Sequence, residues 1–125
     1  MSTLNVSNIS DGTDTVGTGY VVNGSVKAWV NFNSSGPTIR GSFNIASITD
    51  NGVGDFTLNF INSMSDGNYS ASGLLGLAND AGAYNPLSID TDNRTASSCR
   101  VDTENSASAQ SDAVSNDAQI HGDLA

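Results

Sequence analysis

The residues of this chain that could do chemistry are few and scattered. The run "DTDN" at residues 90–93 sets carboxylates at the first and third positions of a calcium loop. Such a loop also needs an oxygen ligand at position five, a glycine at six and a glutamate at twelve. Here position five is Arg94, and neither the glycine nor the glutamate follows, so the run reads as a polar turn. His121 is the single histidine and stands beside Gly122 and Asp123. One imidazole assigns neither a metal site nor an acid–base pair, and His121 reads as a strand-edge or interface residue. A triad would need a nucleophile and a base in hydrogen-bond reach, and many serines with one histidine select no such pair. Cys99 adjoins Arg100, but strand alternation would send the two side chains to opposite faces, leaving the thiol as a buried small hydrophobe. The glycine-rich stretches "GVG" and "GLLG" lack the spacing of a phosphate-binding loop. Six Asn-X-Ser/Thr sequons, at Asn5, Asn8, Asn23, Asn33, Asn68 and Asn93, are what an Asn- and Ser-rich composition yields. No catalytic, cofactor-binding or metal-ligating residue is assigned, and the chain is expected not to be an enzyme.

The surroundings of these residues are bounded by length and charge. A chain of 125 residues fits one domain, which would bury roughly two thirds of the surface exposed when unfolded. One cysteine makes no intrachain disulfide and no cysteine-built zinc site. The formal charge is −9, with 13 acidic residues against Lys27, Arg40, Arg94 and Arg100. Nucleic acid is therefore an unsuitable partner, since phosphate binding is gained through clustered cations. No signal-peptide pattern and no span of about 20 apolar residues is present, so neither secretion through a leader nor membrane insertion is expected.

The positioning elements read as strands. In "SVKAWVNF", Val26, Ala28, Val30 and Phe32 fall on one face and Lys27, Trp29 and Asn31 on the other. "SSGP" breaks this run, and "TIRGSFNI" then places Ile39, Gly41, Phe43 and Ile45 on one side. "SITDNGVGDFTLNF" reads as a hairpin, its turn signalled by Asn51-Gly52 with a loop longer than two residues, and Phe56, Leu58 and Phe60 form its apolar face. "YSASGLLGL" is another strand, with Tyr69, Ala71, Gly73 and Leu75 on one side, and shorter strands surround Val101 and Ile120. Residues 95–117 are otherwise so polar that composition alone reads as loop or disorder. Short strands with turns between them indicate an all-β fold, an antiparallel β-sandwich or a partly closed barrel. Residues 1–22 read as an N-terminal arm or attachment segment and residues 23–125 as the sandwich domain.

The runs "VNGSVKAWVNFN", "IRGSFNIASITDNGVGDFTLNF", "MSDGNYSASG", "CRVDT" and "IHGD" resemble, in order and spacing, a β module of tail-fibre and other appendage proteins of tailed bacteriophages, marine phages above all. The resemblance covers residues 23–123. It implies a virion structural protein on the exterior of the particle, usually a homotrimer, with no catalytic residues to carry over. It implies attachment to a host surface glycan or protein, with residues 1–22 meeting other virion proteins. A capsid decoration protein anchored by that arm, and a free carbohydrate-binding module, are the alternative readings.

Two places remain for recognition. Trp29 lies on the face opposite the apolar residues of its own strand, where it can be covered by a second layer of the chain, by a neighbouring subunit or by a sugar. It is the candidate subunit-interface residue. In "ANDAGAYNP", residues 78–86, Asn79, Tyr84 and Asn85 have the adaptable composition of a recognition loop, with Tyr84 as a stacking platform, and they are the candidate receptor contacts. An ordinary solvent loop is the competing reading of the same residues.

Overall fold

The computed structural model describes residues 1–76, 87–105 and 107–125. The chain runs β1 (Asn8–Ser10), β2 (Thr15–Gly17), α1 (Thr18–Gly24), β3 (Val26–Asn33), β4 (Thr38–Phe43), β5 (Ile45–Gly52), β6 (Asp55–Phe60), β7 (Ser70–Gly76), β8 (Leu87–Ile89), β9 (Ser98–Thr103) and β10 (Ser115–His121). Two four-stranded antiparallel sheets, ordered β4-β3-β10-β7 and β5-β6-β9-β8, pack as an all-β sandwich. One core lies between them. Ala28, Val30, Phe32, Ala118 and Ile120 enter it from the first sheet and Ile45, Phe56, Leu58, Cys99 and Val101 from the second. Phe32 meets Phe56 across the layers edge to face, with ring centroids 5.5 Å apart. This geometry suits the quadrupoles of both rings.

Between β4 and β5 the chain changes sheet across a single residue. β4 ends at Phe43 and β5 begins at Ile45, so Asn44 alone turns the corner, in the left-handed region at φ 58°. Asparagine tolerates that conformation better than most side chains. Its buried amide locks the corner by donating to Asn62 O at 3.0 Å and accepting from Asn62 N at 2.7 Å.

Two expectations for this region are corrected. Strict alternation placed Ile39, Gly41 and Phe43 on one face, but a bulge between Asn31 and Phe32 puts Ile39 opposite Phe32, on the core side, and Gly41 and Phe43 opposite Asn31 and Trp29. One extra residue reverses the facing of everything beyond it. Phe43 is accordingly 57% exposed. In the β5–β6 hairpin, Asn51 sits in a bulge between Asp50 and Gly52, Gly52 pairs with Asp55, and the chain reverses through Val53 and Gly54. The turn is therefore two residues long rather than longer. Gly54, at φ 69°, is required there, because a Cβ would lie 2.5 Å from Thr103 O and 2.6 Å from Ser111 N.

The polar stretch after β9 is tied down despite its composition. Asn105 Oδ1 accepts from Ala107 N at 2.9 Å, Thr103 Oγ1 donates to Ser111 O at 2.6 Å, and Ala113 is buried. At the other end, β1 and β2 form a separate two-stranded sheet, and α1 follows with no buried residue. No helix of the described residues is long and apolar enough to cross a membrane.

Candidate functional site

Among the described residues, three surfaces bring polar side chains together. The first is the outward face of the β4-β3-β10-β7 sheet. Pairing sets Phe43, Trp29, Gln119 and Ser72 in one row across the four strands and Gly41, Asn31, Asp117 and Leu74 in the next. Trp29 is 43% exposed and Leu74 is 71% exposed. The tip of the indole comes down over Gly41, where a Cβ would meet Cη2 and Cζ3 at 3.5 Å, so a residue larger than alanine would lift the ring. On its other flank Trp29 lines a groove of ≈ 440 Å³ with Ser72, Leu74, Asp117 and Gln119. That volume falls within the roughly 300–1,000 Å³ of small-molecule sites. Asn31 Nδ2 donates to Asp117 Oδ1 at 2.7 Å and to Ser115 Oγ at 3.0 Å, which fixes the carboxylate.

The second surface is the outer face of the other sheet, where the Arg100 guanidinium is forked onto the Asp55 carboxylate. Nε donates to Oδ1 at 2.8 Å, and Nη2 bonds Oδ2. Asp90 Oδ2 lies 3.8 Å from the same Nε. The arginine hydrogen bonds hold the Asp55 carboxyl below the usual carboxylate range, against the opposing effect of its burial. Asp102, paired with Asp55 across β6 and β9, is pushed the other way, first by burial and then by the Asp55 charge. This cluster is an ion pair that ties β6 to β9 and the residue after β8. Asp90 is occupied besides: Asp92 N donates to its Oδ1 at 3.0 Å and Asn93 Nδ2 to its Oδ2 at 2.8 Å. The "DTDN" run is thus a turn whose first carboxylate binds its own loop. Among the described residues, no group of three or more His, Cys, Asp or Glu side chains is placed to hold a metal ion.

The third is a basin of ≈ 560 Å³ at one end of the sandwich, where His121, Asp123, Asp66, Asn68 and Asn23 surround a floor of Met64 and Tyr69. His121 closes β10 at an irregularity opposite Val26. Asp66 is turned to its own loop, accepting from Asn68 N at 2.7 Å, and this bond keeps its carboxyl low. Beneath the floor, Tyr69 donates to Ser98 O at 2.7 Å, and burial is the first cause raising its hydroxyl pKa. Cys99 is fully buried and burial pushes its thiol up, so it is a core residue rather than a nucleophile.

The predicted recognition residues fare differently. Trp29 is on an open face, beside Gln119, Asp117 and Leu74, which were not singled out from the sequence. Tyr84, Asn85 and Asn79 lie outside the described residues. Comparison of the chain with protein-family models, with curated proteins and with solved structures finds no match.

Proposed function

We propose that this chain is a non-enzymatic structural module of a tailed-phage virion, carried as a homotrimer on the outside of the particle, on a tail fibre or another appendage, and contacting the host surface. The resemblance of residues 23–123 supplies the class of protein. The observation that carries the reading is that every large apolar side chain before Val26 is left uncovered, outside the core enclosed between the two sheets. Leu4, Ile9, Tyr20 and Val22 are all exposed. Such residues suit an attachment segment that is completed by another virion protein or another copy.

Particles assembled with a tagged copy of the chain test this directly. The tag is expected on the exterior, at an appendage, and light scattering of the isolated protein is expected to give about three chains per particle with a melting temperature that rises with concentration. Particles without the tag would overturn the reading. A tag on the shell would favour the capsid decoration reading, in which the same N-terminal segment is the anchor. Host attachment then rests with another protein.

A further inference from the structure

We infer that the groove between Trp29 and Leu74 on the β3-β10-β7 surface is a binding site for a neutral pyranose unit of a glycan. A pyranose has an apolar C–H face and an edge of hydroxyls, and the groove offers the complement of both. The partly exposed indole is the platform for the C–H face. Around it stand exposed polar side chains with hydrogen-bonding capacity left over among the described residues. Among the described residues, the Gln119 amide and the Ser72 hydroxyl have no hydrogen-bond partner. Asp117 uses Oδ1 for Asn31, and Oδ2 has no partner among the described residues, so one carboxylate oxygen is oriented to accept from sugar hydroxyls. Few polar groups, placed around an aromatic surface on rigid strands, are the usual make-up of a small-molecule site.

The same residues argue against a second copy of this chain as the occupant. Subunit interfaces exclude charge from their centre. Here Asp117 sits beside the aromatic row with no Lys or Arg within ion-pair distance among the described residues. Burying that carboxylate under protein would cost several kcal/mol unless a cation met it, and a chain of net charge −9 brings few. Sugar hydroxyls donate to it instead. The carboxylate also sets the sign of the ligand, because an anionic sugar would be repelled.

This inference stands on the geometry of one face and is tested on the isolated protein, so it can fail while the tagged-particle experiment succeeds, and the reverse. Taken together with the virion reading, it makes this face the contact with a host glycan. Trp29 is the sole tryptophan, so its emission reports on the groove without a label. Titration of the purified chain with neutral oligosaccharides of glucose, galactose, mannose and N-acetylglucosamine is expected to give a saturable blue shift with at least one of them. Calorimetry with that sugar should show Trp29→Ala and Gln119→Ala each weakening binding about tenfold or more, with melting temperatures close to that of the parent. No saturable shift with any sugar of the panel would overturn the proposal. So would light scattering in which Trp29→Ala splits a larger particle into single chains, which would assign the face to a second copy. Should Trp29→Ala fail to fold, Gln119→Ala and Ser72→Val decide the matter on the exposed strands, and unchanged affinity in both would overturn the assignment.

Discussion

Phe43 stands opposite Trp29 across the β3–β4 ladder, on the outside of the sandwich, although its strand pattern pointed it inward. Directly paired positions on an open face contribute at most about 1 kcal/mol. Phe56, fully buried against Phe32, belongs to the core proper. Phe43→Ala is therefore expected to shift the urea midpoint little, whereas Phe56→Ala should cost about 3–5 kcal/mol. Equal losses from the two substitutions would show Phe43 to be covered in solution.

Gly54 combines a left-handed backbone with two backbone atoms that leave no room for a side chain. The strain and the overlap each cost about 1–3 kcal/mol. Gly54→Ala should accordingly lower stability by about 2 kcal/mol or more. Gly24, with open space around it, is the matched control, and its alanine variant should stay within about 0.5 kcal/mol of the parent. Chemical denaturation of the two variants side by side makes the comparison. A neutral Gly54→Ala would mean that the β5–β6 turn rearranges at no cost.

Divalent cations should not matter to folding. Both oxygens of Asp90 are engaged by the loop they start and by Arg100, so no open ligand set is left to capture calcium. Melting curves with and without EDTA are expected to coincide. A drop of more than a few degrees in EDTA would place a stabilising ion somewhere in the fold.

How much of this was legible before the structure depends on the range over which each feature is encoded. The strand around Trp29 and the hairpin through Phe56 could be read because period-two alternation is local. The bulge at Arg40, opposite Asn31 and Phe32, could not, since it adds one residue without changing composition, and it turns Phe43 outward. Helix α1 is also silent in the sequence: Gly17 supplies no side-chain cap, its first turn has no acidic residue, and none of its side chains is buried. The groove was half visible. Trp29 announced itself as an aromatic on the polar face of its strand, but Asp117 and Gln119 reach it only because β10, the last strand of the chain, inserts between β3 and β7. That pairing joins residues far apart in the chain, and no local pattern records it.

The aspartates around Arg100 give the last prediction, because the pKa values of two of them are displaced in opposite directions. Asp55 has its pKa lowered by the arginine hydrogen bonds, so the stability it contributes is present above the ordinary carboxylate value of about 3.9 and is lost as the pH falls through its lower folded value. Asp102 has its pKa raised by burial and by the neighbouring Asp55 charge. Its contribution is full at acid pH, where it is protonated, and is lost as the pH rises through the raised value, so at neutral pH its charge opposes folding. Asp102→Asn removes that charge and keeps an oxygen to accept from Gln110 Nε2, now at 3.1 Å from Asp102 Oδ1. The variant is expected to melt higher than the parent at pH 7, with the gain shrinking to nothing at about pH 3, below the unfolded carboxylate pKa. Asp55→Asn should do the reverse, melting lower at pH 7 and drawing closer to the parent as the pH falls below the ordinary carboxylate value, since it weakens the fork on Arg100 and leaves the guanidinium only Asp90 within ion-pair distance among the described residues. Melting temperatures of the three proteins from pH 3 to pH 7 decide it, and a Asp102→Asn variant no more stable than the parent at neutral pH would mean that Arg100 already neutralises both carboxylates.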